Sequence, residues 1–441
     1  MAIDISSSVR RTPISAQEAR DFIQKETDSF GVFFDLERCF ELVGLLMQEN
    51  LHLRDKARRL TGIPGLYLDD KVTVAEAFQR FGVVQALLYK DGKLSITADT
   101  YNTILKNPKC SEELKMFVNC VQNFASNKRN AGYLRNIGKL PQSTQYSKLG
   151  HRMTVGHPSW SILSTSRLAA EDPGVQGIPR TMTDIVCEPE GYTLVRTDSS
   201  QIEPCINFSY FLRDELIIEL IKAYRDAYFG LLHYCLMPLE LEQACRNNFD
   251  KFFKKIDITD DLKDNRQNIK RLTNAGSYGS SHLDDINPAL SAAYEKRLIQ
   301  HPARLAYEEK VREDVNHGVD TFYGYFGTPV RPDTTEKYTK GGSGWNEHVV
   351  RCGINNPTQT TASELMLFSV NEARNILAQC RDSHICFYKH DESCFYVSDY
   401  DKDHGMLEPL TGINAYNVEG WIPILSETEI GIKKGIYPTY L

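Results

Sequence analysis

Three stretches hold residue types that could do chemistry together. "FYKHDESCFYV", Phe387 to Val397, sets His390, Asp391 and Glu392 between two apolar, strand-like runs. A tight turn ordinarily uses Gly, Asn or Pro, and this one has none. A charged hairpin tip is one reading; a carboxylate held on a rigid hairpin to bind a metal is the other. "EPEGYTLVRTDSSQIEP" turns at Pro189-Glu190-Gly191, after which Tyr192, Leu194 and Arg196 alternate with Thr193, Val195 and Thr197. That period predicts a short strand ending at Asp198. "DNRQNIKRLTNAGSYGSS" spaces Arg266, Lys270, Asn274 and Tyr278 four apart, along one face of a helix that Gly279 would stop.

Two carboxylates on adjacent strands can hold two Mg²⁺ ions about 3.5–4 Å apart, activating a 3′-hydroxyl and clamping an in-line displacement of pyrophosphate. A helix face with Arg, Lys and a ring can receive a triphosphate and stack on a base. The plainer alternative for that helix is a basic face in solvent.

The elements around these stretches follow from composition and period. The chain has 441 residues, 41% hydrophobic and 25% charged, enough for two or three domains or subdomains of an α+β protein. The net charge of -7 does not exclude nucleic acid, because only the field of a groove must be basic. Eleven dispersed cysteines without C-x-x-C or zinc-ligand spacing point to free thiols in a reducing compartment. Without an apolar leader or an 18-residue apolar run, the expected location is the cytoplasm, with no membrane partner.

Residues 1 to 30 read as a loose polar arm with some helix. Asp35 to Gly62 reads as a helix, with Leu36, Phe40, Val43, Leu46 and Met47 at helical spacing. "FFDLE" imitates the D-x-E of a proofreading exonuclease, but Asp35 and Glu37 read as first-turn helix residues. Residues 72 to 140 are mostly helical and end in a basic stretch with Lys128, Arg129, Arg135 and Lys139 around Tyr133. Short strands or irregular chain fill 151 to 180, and helices dominate 213 to 320. "TFYGYFGTPVRPD" predicts a hairpin, "NPTQTTASELMLFSVNEARNILAQC" a helix from near Thr358 with Pro357 at its entry, and the tail a last strand pair.

Together the motifs resemble the A-family DNA polymerases, the group of bacterial DNA polymerase I. "TDSSQIE" resembles motif A, "RQNIKRLTNAGSYG" motif B and "KHDES" motif C. "TSRLAAEDPGVQGIPR" and "INNPTQTTASEL" resemble two further motifs of that family in the same order. The likeness runs from about residue 31 to the C-terminus. It implies a right-hand polymerase with an antiparallel palm sheet and mostly helical thumb and fingers. Residues 1–30 would be an N-terminal arm and 31–150 N-terminal helices and thumb. The palm would take 151–225 and 350–441, with the motif C hairpin at 385–397. The fingers would take 226–349, with the motif B helix at 264–279.

The same resemblance implies roles. Asp198 and Asp391 would be ligands of two Mg²⁺ ions, with Mn²⁺ as an alternative, and the Ser199 carbonyl would help. Arg266 and Lys270 would bind the triphosphate, with Lys270 also the acid for departing pyrophosphate. Gln201 and Asn274 would lie at the nucleotide, Tyr278 near the templating base, and Glu203 where a ribose 2′-hydroxyl would project. His390 and Glu392 would brace the hairpin and primer end. Arg167, Asn355 and Gln359 would position primer-template DNA, and Lys128 and Arg129 would grip its backbone. The implied partners are primer-template, dNTPs, and a separately encoded exonuclease or processivity factor, since neither a 5′-nuclease nor a complete 3′-5′ exonuclease region is expected. Size and divergence suggest a phage or mobile-element source.

Departures from the family pattern are Ser199, Pro204-Cys205, Asn274, and Ser166 and Thr360 in place of glycines. Asn274, an amide in place of a ring, is expected to alter discrimination at the sugar. The rival readings are a phage-type single-subunit RNA polymerase and an inactive, polymerase-derived DNA-binding or replisome-scaffold protein. Glu203 and Glu392 argue against the first, and retention of both aspartates against the second.

Overall fold

The computed structural model describes residues 2–431 apart from 7, 91, 108, 278–286, 335–337, 341 and 343. The described residues form two compact units, one within 2–32, 157–177 and 191–431, the other within 33–156 and 178–190.

The first unit is built on a four-stranded sheet. Its strands are β1 (Tyr192–Ser199), β2 (His384–Lys389), β3 (Glu392–Ser398) and β4 (Ser426–Ile430), in the order β2-β3-β1-β4. All three pairings are antiparallel. In β1 the side chains from Tyr192 to Thr197 are buried on both faces. Alternation therefore marks the strand here without marking a wet face. Of the tail read as a strand pair, 420–438, Ser426–Ile430 joins β1, and residues 432–438 lie outside the described residues; before that tail, Tyr416–Val418 runs parallel to Ile3–Ile5.

Helices cover the sheet. α1 (Ala16–Ser29) lies within the stretch read as a loose arm. A Ser15–Glu18 capping box starts it, and its Ile23 and Thr27 are fully buried. Trp160 Nε1 donates to Thr27 Oγ1 at 3.2 Å, so the helix is docked. α2 (Ala227–Leu236), α3 (Asp260–Ser277) and α4 (Pro302–Asn316) follow, and the predicted hairpin forms between Phe322–Tyr323 and Pro329–Val330.

α5 spans Trp345–Leu377 and corrects the expected entry at Pro357, which lies inside the helix. A proline there deprives the carbonyl four residues earlier of its donor and crowds it. That carbonyl belongs to Gly353, and the Tyr307 hydroxyl of α4 donates to it at 2.9 Å. Gly353 also has no room for a side chain, since a Cβ would lie 2.5 Å from Phe322 Cζ. Replacement of the lost bond and close packing carry the helix through its proline.

The second unit holds two long helices, Leu36–Thr61 and Glu112–Ile137, packed on each other, and a three-stranded sheet. Asp35 caps the first helix by accepting from the Arg38 N–H, and Gly62 ends it at φ 65°. Between the helices, Leu66, Phe78, Leu88 and Phe117 centre a separate core. Among the described residues, no helix is long and apolar enough to cross a membrane. Among the described residues no disulfide joins the cysteines.

Candidate active site

The Asp198 and Asp391 segments meet at the end of the sheet. In the β3–β1 register Glu392 stands opposite Asp198, and on the other side of β1 Glu427 does. Lys389 pairs with Glu392, leaving His390-Asp391 as a two-residue turn. His390 takes the left-handed backbone at φ 55°, uncommon without glycine and held here by the strands on either side. The Ser199 N–H donates to the Asp391 carbonyl at 2.9 Å, joining strand end to turn directly.

Asn414 locks that junction. It is fully buried, and its Nδ2 donates to the carbonyls of Thr197 at 2.7 Å and Asp391 at 3.2 Å. Ser199 Oγ donates to the Asn414 carbonyl at 2.8 Å. Nothing in "GINAYN" signals this role, because it depends on strands some 200 residues earlier in the chain.

The charges around the turn are crowded. Burial, then the carboxylates of Glu203 and Glu392, push the Asp391 carboxyl above its ordinary value against the opposing pull of Arg167. Desolvation, then Arg167 and Lys389, hold the His390 imidazole below its ordinary value, so the ring is neutral at neutral pH. Arg167 Nη2 meets Glu203 Oε1 at 2.5 Å. Arg167 ends a hairpin turn in which Ser166 adopts φ 60°, the backbone that favours glycine. Gln176 fixes this segment to the sheet, with Nε2 donating to the carbonyls of Leu168 and Tyr388 at 2.7 and 3.0 Å.

α3 behaves as the spacing predicts. Ile269, Leu272 and Thr273 are buried, Arg266 and Lys270 are partly buried, and Asn274 is exposed. Tyr278 and Gly279 lie outside the described residues. Glu203, Thr273, Asn355 and Gln359 line one cavity of about 70 Å³, so β1's following helix, α3 and α5 converge there. Gln201 holds its amide within the protein: Oε1 accepts from the Ala227 N–H at 2.6 Å and Nε2 donates to Asp226 Oδ2 at 3.1 Å.

No family model matches the chain, and no curated protein matches its sequence. Among solved structures it is similar to the POL domain of Pol1 from M. smegmatis, in complex with DNA primer-template and dNTP. That likeness has a TM-score of 0.68 at 17% identity and covers 95% of this chain and 70% of that one. The fold is that of a DNA polymerase domain.

Lys128 and Arg129 belong to the second unit, exposed on the helix Glu112–Ile137 with Arg135. The Lys128–Asp69 contact of 3.3 Å is between exposed groups and holds the lysine weakly. In that unit Asp35, Glu37 and His151 are, among the described residues, the one group of three with ligand-type atoms within 4.8 Å of one another. Each already has a partner: Asp35 caps its helix and meets His151 Nδ1 at 2.7 Å, and Glu37 meets Arg152 at 2.8 Å. The D-x-E spacing is a helix start.

Proposed function

We propose that the chain is a template-directed DNA polymerase that extends a primer 3′ end with dNTPs by two-metal nucleotidyl transfer. One observation carries the reading. On the fold of a DNA polymerase domain, the Asp198 strand end and the Asp391 turn are hydrogen-bonded to each other. Burial, and after it the neighbouring carboxylates, raise the Asp391 carboxyl, a cost that a bound divalent cation would offset, and hard oxygen donors suit Mg²⁺, with Mn²⁺ as an alternative. Asp198, Asp391 and the Ser199 carbonyl would hold two ions. Bound there, they supply activation of the 3′-hydroxyl and neutralisation of phosphate charge.

The chain's own groups do the rest. Arg266 and Lys270 bind the triphosphate, and Lys270 Nζ gives a proton to the departing pyrophosphate. Glu203, oriented by Arg167, excludes a 2′-hydroxyl. Asn274 acts at the nucleotide, and Tyr278 stacks near the templating base. Neutral His390 and Glu392 brace the turn and primer end. Arg167, Asn355 and Gln359 face the duplex, and Lys128 and Arg129 hold its phosphates. Residues 151–225 and 350–441 form the palm, 226–349 the fingers and 31–150 the N-terminal helices and thumb.

The test is extension of a labelled primer-template with Mg²⁺, comparing wild type with Asp198→Ala and Asp391→Ala. The expected result is extension by wild type alone, and unchanged extension in either variant sinks the two-metal assignment. Preference for NTPs over dNTPs replaces the reading with an RNA polymerase. Tight binding of primer-template without extension replaces it with an inactive scaffold.

A further inference from the structure

Arg266 is held by a carboxylate from the start of another helix. Asp226 Oδ2 accepts from its Nε at 3.0 Å and its Nη2 at 2.5 Å, with both side chains about four-fifths buried. The carboxylate is itself fixed at both oxygens. Oδ1 accepts from the Phe229 N–H at 2.8 Å, capping α2, and Oδ2 also takes the Gln201 amide. Gln201 closes the loop by accepting from the Ala227 N–H. The segment after motif A, the start of α2 and the cation of α3 thus form one hydrogen-bonded hub.

A second contact comes from the same turn of α2. The Tyr228 ring lies 5.4 Å from the Arg266 guanidinium carbon and 5.7 Å from Lys270 Nζ, and the Phe229 ring is 5.4 Å from Arg266. Tyr228 is buried, so its ring is a fixed platform. A ring face draws a cation most strongly where water is excluded. A guanidinium has five N–H donors, and Asp226 engages two groups of them, so an anion can be bound without breaking the pair.

We propose that Asp226 and Tyr228 are positioning residues that preset Arg266 and Lys270 for the triphosphate of the incoming nucleotide, with Gln201 holding Asp226 in place. The inference rests on the polymerase reading. It assigns Gln201 to the hub rather than to direct contact with the nucleotide. Neither Asp226 nor Tyr228 could be singled out from spacing, because each acts on a helix some 40 residues away.

Asp226→Asn is the informative change, since Asn caps a helix as well as Asp and only the charge is lost. Single-nucleotide insertion is measured with dNTP titrated, alongside inhibition by inorganic tripolyphosphate. Asp226→Asn is expected to raise the KM for dNTP and the tripolyphosphate inhibition constant on the order of tenfold, the size of one loosened charge-assisted contact, with kcat changed far less. Tyr228→Phe, which keeps the ring, should stay within about twofold of wild type, and Tyr228→Leu should raise both constants. An unchanged or lower KM in Asp226→Asn overturns the proposal, the lower value meaning that Asp226 competes with phosphate. Wild-type constants in Tyr228→Leu overturn the platform even where Asp226→Asn does not fold. Failure of wild type to extend a primer defeats the polymerase reading itself, whereas wild-type extension with unaffected variants defeats this inference alone.

Discussion

Asn414→Asp is a nearly isosteric change at the junction of the Asp198 strand and the Asp391 turn. It replaces a donor by an oxygen facing the carbonyls of Thr197 and Asp391, at a site with no solvent exposure. An ionised carboxylate has no counter-charge there, so the folded protein takes up a proton and the hydroxyl restores one of the two donations. With an unfolded pKa of about 3.9 and ~1.4 kcal/mol per unit, protonation costs about 4 kcal/mol at pH 7 and about 1.5 kcal/mol at pH 5. The folded pKa is raised above the unfolded one, so the native state binds more protons. Stability therefore falls as pH rises across this window. Four kcal/mol is a large share of the roughly 5–15 kcal/mol that holds a typical domain together. The assay is urea unfolding of wild type and Asn414→Asp at pH 5, 6 and 7, with primer extension at each pH. A difference below about 1 kcal/mol at pH 7, or one that does not shrink toward pH 5, refutes the reasoning.

Tyr307→Phe leaves the Gly353 carbonyl without its replacement donor and should destabilise the protein by about 1–3 kcal/mol in denaturant unfolding. Asp401 is held at a pKa of about 2: burial alone would raise it, but the Ser383 hydroxyl, the Arg381 and Asp382 N–H groups and the Ser398 hydroxyl overcome that. Its folded pKa is depressed, so it contributes on the order of 2 kcal/mol above pH 4 that disappears as pH falls toward 2. Acid unfolding of Asp401→Asn should lack that part of the slope. Asn274→Phe, at an exposed position of α3, should leave folding unchanged and shift the ratio of deoxy to dideoxy and ribo incorporation; identical ratios would count against a sugar-facing role.

What was legible in the sequence is what chemistry or local period constrains. Asp198 and the Asp391 turn meet at one end of a sheet because each follows an apolar run that had to pair. Arg266, Lys270 and Asn274 share a side because four-residue spacing does so on any helix. Asp35 and Gly62 bound their helix by capping alone. Pro357 misled because its relief comes from Tyr307 on another helix and from the missing side chain of Gly353. Ser426–Ile430 was legible as a strand but its partner was not, because Tyr192–Ser199 is remote in sequence. Asn414 and Asp226 are ordinary polar residues until the fold brings their acceptors and donors to them.

The order β2-β3-β1-β4 also sets a timetable. β1 ends at Ser199, yet the strands on either side of it begin at Glu392 and Ser426. A ribosome adding about 5–20 residues per second needs roughly 10–45 s after Ser199 to deliver both neighbours. Throughout that interval Tyr192, Leu194 and Val195 have no sheet to enter, and both edges of the strand are open to foreign pairing. Synthesis stalled before residue 384 would yield a nascent chain whose helices could pack but in which the Asp391 turn does not yet exist. Reactive competence thus arrives late in translation, and the nascent chain depends until then on whatever shields an unpaired strand.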